Sequence, residues 1–487
     1  NEKEFGFESA GIERMILTHA HIDHSGRIPL LVKRGFKGQI YATEATTELC
    51  QIMLEDSAHI QEMDAEFDSR KNRRKGLPDV EPMYDTNDAK EAMKYFVPVS
   101  YNHIVNLSED VRFCFNDAGH MLGSCIVEIW VKNEEGKEEK IVFSGDLGNT
   151  NKPLLNNPTY LKDADYVVLE STYGSRNHDE KKKNKDELLE IILETAKKGG
   201  TLVIPSFAVG RTQEMLYELN RYKENNMLGE FQNLKVVVDS PLAIKATEVF
   251  KNNYHLMDEA TQELLRSGDD PLVFDNLVYS LTTEESKAVN ADDSPKIIIS
   301  ASGMCDAGRI RHHIKHNIYK ENCTILFVGY QAEGSLGRML LEGEKDIKLF
   351  GERIAVKAQI KNLDYFSGHA DHDGLLNWLA SFEKKPKRVI LVHGEPDAQE
   401  VLAADIEKTG IPVTIGKYMT TCDLSAEIYE TAGAVPVPKQ PQFVRSLADM
   451  AQEIHEKLRK EENMLKIKDV DKIKLFLECI NDIITSE

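Results

Sequence analysis

The segment THAHIDHSG, residues 18–26, constrains this chain more than any other part of its sequence. It directly follows a short apolar run at residues 14–18, which is typical of a buried strand. Three imidazoles and one carboxylate around a turn have no packing role there. Mixed nitrogen and oxygen donors of this kind suit zinc or a similar divalent cation. The segment therefore predicts a metal site at the end of a strand, with a helix beginning near Ser25.

Further histidine and aspartate residues occur at later strand ends. His120 lies among glycines in residues 116–124, Asp146 follows an apolar run, and His393 follows another. Each one taken alone is equally consistent with a structural histidine or an ordinary polar strand end. Their shared location favours a second group of ligands, because four residues cannot complete two metal sites.

Short runs rich in Val and Ile recur along the chain and alternate with helical segments, which predicts an α/β fold with sheets covered on both faces. They lie at residues 14–18, 140–144, 166–169, 201–204, 235–238, 296–299, 324–328 and 388–392. Residues 89–127 alternate more like antiparallel strands, and residues 132–139 predict a hairpin turn. Polar or glycine-containing segments follow the runs, so they are expected to converge on one cleft.

These segments resemble the ordered motifs of the metallo-β-lactamase superfamily, whose HxHxDH signature matches HAHIDH. The resemblance implies an αββα sandwich that binds two Zn²⁺ per chain. It assigns His19, His21 and His120 to one ion, and Asp23, His24 and His393 to the other, with Asp146 between them. Asp23 is also expected to take part in catalysis. Two such ions can activate a bridging hydroxide and clamp a phosphate.

The long segment between Asp146 and His393 resembles the inserted α/β domain of the β-CASP branch, whose members process RNA and DNA. LESTYG at 169–174 resembles its first motif, YFSGHAD at 365–371 its second, and LVHGE at 391–395 its third. A histidine in the third motif is associated with RNA substrates. The resemblance therefore implies single-stranded RNA as the substrate.

Hydrolysis of a phosphodiester requires a proton for the leaving 3′ oxygen, and an imidazole held by a carboxylate can supply it. We assign His369 as the general acid and Glu170 as its partner, although Glu170 is also consistent with an ordinary strand-end carboxylate. Asp371 and His372 extend the motif, but no second set of ligands accompanies them.

The insertion also offers residues suited to binding RNA phosphates, through hydroxyls, backbone N–H groups, an arginine at a helix start or an aromatic ring. These candidates are Ser206, Arg211, Ser300, Ser302, Gly303, Tyr330 and Arg338. The loops that carry them are equally consistent with tight strand-to-helix turns. The basic residues between Arg309 and His316 form either a helix face along the RNA path or a solvated face. Residues 70–75 are interpreted as a surface loop.

We expect four parts along the chain. Residues 1–178 form the first part of the metallo-β-lactamase domain, 179–357 the β-CASP insertion, 358–430 the returning part, and 431–487 a helical C-terminal tail. The resemblance also implies strands and a supporting aspartate upstream of HAHIDH. This sequence lacks them and begins with Asn1, so a truncated chain is expected.

The composition indicates the cell compartment of the protein more clearly than its function. The chain has 60 Lys+Arg against 81 Asp+Glu, a net charge of −21, which disfavours non-specific nucleic-acid binding but permits a positive cleft. Seven cysteines without CxxC spacing indicate a reducing compartment. There is no run of roughly 18 apolar residues, so no membrane span is expected. The cytoplasm is the expected location, and the resemblance is consistent with a homodimer.

The sequence thus predicts a zinc-dependent ribonuclease that cuts RNA internally, by resemblance to compact prokaryotic relatives of the mRNA 3′-end cleavage endonuclease. Three alternatives remain open at this point: a 5′ to 3′ exoribonuclease, a metallo-hydrolase of small esters or thioesters, and an inactive RNA-binding scaffold. The long insertion disfavours the second, and the intact set of ligands disfavours the third.

Overall fold

The computed structural model describes residues 5–133, 135–178, 187–363, 368–418, 420–424 and 428–430. The chain divides into one unit of residues 1–415 and a second of residues 416–487. The helices of the first unit are α1 (Ile22–Ser25), α2 (Ile28–Lys33), α3 (Glu44–Arg74), α4 (Thr86–Met93), α5 (Glu187–Lys197), α6 (Arg211–Glu224), α7 (Pro241–Asn252), α8 (Glu259–Ser267), α9 (Thr283–Ala291), α10 (Ile310–Asn317), α11 (Leu336–Leu341), α12 (His372–Ala380) and α13 (Pro396–Lys408).

Two sheets of the first unit lie outside the segment between β8 and β17, and the larger of them combines strands from both sides of that segment. The smaller sheet is parallel and has the order β1-β2-β3, and the larger has the order β18-β17-β8-β7-β6-β5-β4. Their strands are β1 (Arg14–Ile16), β2 (Gln39–Ala42), β3 (Phe96–Pro98), β4 (Ile104–Asn106), β5 (Val111–Asp117), β6 (Cys125–Lys132), β7 (Glu138–Phe143), β8 (Tyr166–Leu169), β17 (Arg388–Leu391) and β18 (Val413–Ile415).

These two sheets pack face to face with helices outside them. Tyr41 of β2 packs in one apolar cluster with Phe113 and Phe115 of β5 and Val127 of β6. On the opposite face of the larger sheet, side chains of α12 and α13 pack on the central strands. Helices α2, α3 and α4 contribute apolar residues to the cluster that also contains Ile40 and Ala42 of β2. The order of layers is therefore helix, sheet, sheet, helix, as the αββα expectation requires.

The third large sheet lies between β8 and β17 in the sequence and is parallel throughout, with the order β11-β10-β12-β9-β13-β16. Along β9, Leu202 and Ile204 join one apolar cluster, whereas Val203 joins another, because successive side chains of a strand point to opposite faces. Both faces are thus covered by helices. The strands of this sheet are β9 (Thr201–Pro205), β10 (Lys235–Val238), β11 (Leu277–Tyr279), β12 (Lys296–Ser300), β13 (Thr324–Phe327) and β16 (Gln359–Asn362), and a separate hairpin consists of β14 (Asp346–Leu349) and β15 (Glu352–Ala355).

Helix α3 holds the loop that carries His120. The Thr43 hydroxyl caps the helix by accepting a hydrogen bond from the Thr46 backbone N–H at 3.1 Å. The hydroxyls of Thr43 and Thr46 both donate to the carbonyl of Gly123, at 2.7 and 2.8 Å. Gly123 has φ +81°, and a Cβ there would lie 2.6 Å from the Thr46 nitrogen. Only glycine fits this contact, so the start of α3 fixes the loop just after His120.

The second unit contains one described hairpin, in which β19 (Thr421–Asp423) pairs antiparallel with β20 (Ile428–Glu430). The expected helical tail at 431–487 lies outside the described residues.

Candidate metal centre and active site

The turn after β1 is held by its own polar groups. The Ser25 hydroxyl donates to the carbonyls of Ala20 and His21, at 2.8 and 3.0 Å. The carbonyl of Thr18 accepts a hydrogen bond from the Cys125 N–H of β6, at 2.9 Å, so the turn is attached to the larger sheet as well. Helix α1 begins within the motif and carries Asp23 and His24. The helix expected near Ser25 is therefore two short helices, α1 and α2, of which α2 buries Ile28, Leu30 and Leu31.

His120, Asp146 and His369 lie on three segments that are hydrogen-bonded to one another. The Gly148 N–H donates to the Ala118 carbonyl at 2.8 Å, and the Ala370 N–H donates to the Leu147 carbonyl at 2.8 Å. A Cβ at Gly148 would lie 1.9 Å from a carbonyl oxygen of the His120 loop. This close contact requires glycine, and it sets the relative positions of the three side chains.

Asp146 lies between two groups of potential ligand atoms. The side chains of His19, His21, His120 and Asp146 each offer one atom, and these atoms lie within 4.8 Å of one another. Asp23, His24 and His393 form a second group of three, whose ligand atoms also lie within 4.8 Å of one another. Oδ2 of Asp146 lies 3.4 Å from Nε2 of His19 and 3.4 Å from Nε2 of His24. One carboxylate thus faces both groups.

The chemistry of these donors fits divalent cations. Burial lowers the pKa of His19 and His120, and it lowers that of His21 to about 4. Neutral imidazoles keep a free lone pair for a metal. The Nε2 atoms of His19 and His24 are buried and, among the described residues, have no hydrogen-bond partner. Because buried polar atoms normally have partners, these two atoms are suited to bind a cation.

His393 adopts a backbone conformation that the sequence does not reveal. It follows β17 with φ +51°, in the left-handed region that residues other than glycine adopt uncommonly. Its Nδ1 lies 3.1 Å from the Thr172 hydroxyl, and its Nε2 lies 3.4 Å from Oδ2 of Asp23. The contact with Asp23 raises the pKa of His393 to about 9, against the opposing effect of burial. A divalent cation in this group competes directly with that proton.

His369, which is half-buried, pairs with the buried Glu170 beside the first group of donors. Nδ1 of His369 lies 3.2 and 3.3 Å from the two carboxylate oxygens of Glu170, whose side chain is 1% exposed. The ring of His369 lies 4.4 Å from that of His120, between centroids. Although burial opposes protonation, the adjacent Glu170 carboxylate raises the pKa of His369. The pair is thus suited to hold a proton on His369.

Glu170 is fixed by hydrogen bonds to the backbone. Oε1 accepts from the Leu147 N–H at 2.7 Å, and Oε2 accepts from the Thr172 N–H at 3.3 Å. The Glu170 N–H itself donates to the Ser144 hydroxyl at 3.0 Å. These contacts attach the carboxylate to the loop that carries Asp146.

Three residues near the site were not among the sequence candidates. Thr172 contacts His393, and Nε2 of His178 lies 3.0 Å from the carbonyl oxygen of His369. The Tyr173 ring lies 4.8 Å from that of His178 and 6.2 Å from that of His369. Thr172 and Tyr173 lie two and three positions after Glu170, within LESTYG, so the motif gave a signal for both. His178 carried no such signal.

The candidates for phosphate binding differ in accessibility. Ser206 and Ser300 are buried, and their hydroxyls donate to the carbonyls of Phe207 and Asp239, at 3.2 and 2.7 Å. Arg211 forms an ion pair with Glu214, whose carboxylate also lies 3.8 Å from the Lys152 ammonium. These contacts are internal, and any role of the three residues in binding RNA stays a prediction.

The other candidates lie in the loops after β12 and β13. Ser302 is half-buried and Gly303 is buried, whereas Tyr330 is 52% exposed. Arg338 is exposed on α11 and forms an ion pair with Glu342 at 2.7 Å. Ser302, Tyr330 and Arg338 are therefore accessible to a ligand, and their assignment also stays a prediction.

The basic residues of α10 divide into two sets. Arg309 and His313 both contact the buried carboxylate of Asp239, at 2.6 Å each, so neither belongs to a simple solvated face. His312 is exposed and stacks on Phe350, with ring centroids 4.4 Å apart.

The expectation of a surface loop at 70–75 was wrong, since Arg70–Arg74 form the end of helix α3.

Asp371 and His372 have structural contacts instead of ligand geometry. Asp371 caps α12 by accepting a hydrogen bond from the Gly374 N–H at 2.9 Å. His372 contacts the Gly174 carbonyl at 2.6 Å through Nδ1 and lies 3.2 Å from Asp405. Neither occurs in the potential metal groups found among the described residues.

An αββα sandwich with histidine and aspartate clusters at its strand ends, and a parallel α/β domain inserted into it, defines a metal-dependent hydrolase of the metallo-β-lactamase type. Comparison of the sequence with protein families agrees with this. Residues 8–172 match the metallo-β-lactamase superfamily domain, residues 212–340 the β-CASP domain, and residues 353–415 the Zn-dependent metallo-hydrolase RNA specificity domain.

Individual relatives cover most of the chain. Ribonuclease TTHA0252 of Thermus thermophilus is 34% identical over 86% of this chain and 89% of its own length. Transcription termination factor FttA of Pyrococcus abyssi is 31% identical over 84% of this chain and 61% of its own length. The FttA protein of Methanocaldococcus jannaschii is 31% identical over 80% and 60%, respectively. The chain therefore belongs to the β-CASP family of the metallo-β-lactamase superfamily, which confirms the resemblance and the fold class.

None of the helices in the described part of the chain is both long and apolar enough to cross a membrane.

Proposed function

We propose that this protein is a zinc-dependent ribonuclease that cuts single-stranded RNA internally. The observation that carries the proposal is the pair of half-buried His369 and buried Glu170 beside the group formed by His19, His21, His120 and Asp146. Small-substrate hydrolases need the metal ligands but not a proton donor for a nucleotide leaving group. The name of the Thermus relative, a ribonuclease, supports RNA as the substrate.

We propose that His19, His21 and His120 hold one Zn²⁺, and that Asp23, His24 and His393 hold a second, with Asp146 shared. Two bound ions supply Lewis acidity that activates water and neutralises charge on the phosphodiester. The three lowered histidine pKa values and the two unpartnered Nε2 atoms support this assignment. Asp23 lies 3.4 Å from His393, where it can also position a water molecule for attack.

The chain's own residues provide the proton. In the proposed reaction, Nε2 of His369 donates its proton to the leaving 3′ oxygen while Nδ1 remains hydrogen-bonded to Glu170. Glu170 stabilises the charged imidazole before the transfer and fixes the ring's orientation through its contacts to Leu147 and Thr172. General acid catalysis of this kind contributes about 10²- to 10⁴-fold to a rate.

The proposed organisation keeps the β-CASP insertion expected at 179–357 between two parts of the metallo-β-lactamase domain, although β16, which pairs with β13, extends the sheet of the insertion to Asn362. Internal cleavage rests on the resemblance to compact endonucleases of the branch. Association into a homodimer and a cytoplasmic location stay predictions.

The test is cleavage of a single-stranded RNA that carries a different label at each end, with and without a chelator. The wild type is compared with His369→Ala and with His103→Ala, a matched control at an exposed histidine. Zinc content is measured on the same samples. We expect chelator-sensitive internal cuts that are lost in His369→Ala, with zinc content unchanged in that variant.

Other outcomes separate the alternatives. Stepwise loss of the 5′ label would indicate an exoribonuclease. A zinc-loaded protein that binds RNA without cutting it would indicate a scaffold. A zinc-loaded protein that neither binds nor cuts RNA would exclude the proposal and leave the hydrolysis of small esters or thioesters.

A further inference from the structure

Three loops converge at the carboxyl ends of three adjacent strands in the parallel sheet. Strand β9 lies between β12 and β13 in this sheet. The loop after β9 carries Phe207, the loop after β12 carries Gly303, and the loop after β13 carries Gly329. Ligands of parallel α/β sheets bind at this end of the strands.

The Phe207 side chain lies across the two glycines and is 43% exposed. A Cβ at Gly303 would lie 3.2 Å from ring atoms of Phe207, and a Cβ at Gly329 would lie 3.8 Å from the same ring. Larger residues at Gly303 would displace the ring. The two glycines thus form a flat support for the Phe207 ring. A phenylalanine held only by packing would be buried more completely than this one.

Buried hydrogen bonds hold this support in place. The Gln331 side chain is buried, and its amide nitrogen lies within hydrogen-bonding distance of the Gly303 and Gly329 carbonyls, at 3.0 and 3.1 Å. The Thr212 hydroxyl donates to the Phe207 carbonyl at 2.8 Å. An aromatic ring on a fixed support loses little conformational freedom when it binds a ligand.

Contacts of helix α6 link the Phe207 loop to the segment that carries Asp146. Helix α6 begins directly after this loop, and its Glu214 lies 3.8 Å from Lys152 in the segment that follows Asp146. Burial lowers the pKa of His178, the Lys152 ammonium adds to that shift, and Nε2 of His178 lies 3.0 Å from the His369 carbonyl oxygen. Because these contacts link the start of α6 to the active-site segment, we expect a strand bound at the active site to extend towards the ring.

We propose that Phe207 binds an unpaired nucleobase of the RNA substrate by stacking, and so positions the strand relative to the site. This inference rests on the proposed ribonuclease function and adds a contact to it. Because every base has a π face, the contact is expected to tolerate all four bases. Tyr330 follows Gly329 directly and offers a second exposed ring in the same group of loops.

The first experiment compares Phe207→Ala, Phe207→Leu and Phe207→Trp in the full-length, zinc-loaded protein. We expect KM for single-stranded RNA to rise about tenfold in Phe207→Ala and Phe207→Leu, and to return to near the wild-type value in Phe207→Trp, since stacking contributes this much per base. Zinc content should not change. Phe67→Ala, at an exposed phenylalanine on α3, is the matched control and should leave KM unchanged.

The second experiment identifies the contacted base. Single abasic positions are placed one at a time along the RNA, and affinity is measured in the slowly cleaving His369→Ala background. One abasic position should weaken binding about tenfold when Phe207 is present and have little further effect when it is alanine, as expected for a coupled pair. The Phe207→Trp variant gives an independent signal, because base stacking should quench its fluorescence above the background of Trp130 and Trp378.

The outcomes distinguish the inference from the function on which it rests. RNA cleavage with an unchanged KM in Phe207→Ala would overturn the stacking proposal alone. Full affinity in Phe207→Leu would also overturn it, because an apolar contact would then suffice. A protein that neither binds nor cuts RNA would overturn the proposed function and the stacking contact together.

Discussion

Nδ1 of His369 lies 3.2 Å from Oε2 of Glu170, although the two residues are 199 positions apart in the sequence. Glu170 cannot turn away from the imidazole, because its Oε1 also accepts the Leu147 N–H at 2.7 Å. A carboxylate fixed in this way favours one ring orientation and the charged form of His369.

Glu170→Gln keeps the size of the side chain but removes its charge. We expect kcat for RNA cleavage to fall about 10²-fold, with KM and zinc content close to those of the wild type, because only proton transfer is impaired. Steady-state kinetics and metal analysis check this. Glu383→Gln, at an exposed glutamate, is the control. A kcat within twofold of the wild type would show that Glu170 is only structural.

Asp146→Asn should weaken both metal groups at once, because Asp146 faces each of them. Zinc that binds only the folded state at 100 times its Kd stabilises a protein by about 2.7 kcal/mol. We expect Tm of the wild type to rise by several degrees when zinc is restored after chelation, and that of Asp146→Asn to rise much less. Asp163→Asn, at an exposed aspartate, should behave as the wild type does. Equal zinc responses in all three proteins would refute a shared carboxylate.

Asp117 should make stability depend on pH. Burial raises the pKa of this carboxyl to about 6, although it accepts hydrogen bonds from the Gly119 N–H and Asn156. Because the folded state holds the proton more tightly than the unfolded state, this carboxyl costs stability as pH rises from about 4 to about 6. The full cost persists above that window and is absent below it.

Asp117→Asn should therefore stabilise the chelated protein by about 1–2 kcal/mol at pH 7.5, with a much smaller gain at pH 4, after allowance for partial exposure. Urea unfolding at both pH values measures this. Asp110→Asn, at an exposed aspartate, should show neither gain. A gain that is the same at both pH values would indicate a cause other than protonation.

Asp239 organises the loop that precedes α10. It is fully buried and contacts His313 and Arg309, at 2.6 Å each, and these contacts lower its pKa although burial opposes them. Removing one partner from a buried ionic network costs about 3–5 kcal/mol. We expect Asp239→Asn to destabilise the protein by about that amount in chemical unfolding.

An exposed ion pair gives the comparison for Asp239. Asp293 lies 2.9 Å from Lys320 and is well exposed, so Asp293→Asn should cost at most about 1 kcal/mol. Similar losses in the two variants would mean that the buried network contributes no more than a surface pair.

Much of the fold was predictable because the pattern of buried strands is local. The runs at 201–204, 235–238 and 296–299 coincide with β9, β10 and β12. The hairpin expected around 132–139 joins β6 to β7, with Lys132 paired to Glu138. In contrast, the basic residues before Lys75 have the polarity of a surface loop, because α3 is largely polar on its exposed side. This 31-residue helix is stabilised by tertiary contacts with α4 and α7.

The candidate site was predictable in part. The seven proposed ligands share distinctive residue types at strand ends, and the structure brings them together. Hydroxyl groups are different, because a serine after a strand gives no sign of which carbonyl it contacts. Ser300 donates to Asp239, and nothing in the residues around either one reveals that contact. Phe207 was missed for a similar reason, since its support comes from two other loops.

Strand β17 pairs with β8, so that Leu391 lies opposite Leu169. Because these strands are far apart in the sequence, the parts of the site are synthesised at different times. Protein synthesis delivers Asp23 and His24 early, but His393 only after the whole inserted domain has left the ribosome. Until β17 enters the sheet, the second group of ligands lacks its last member. Nascent chains thus remain without a complete site until both the inserted domain and β17 have been synthesised.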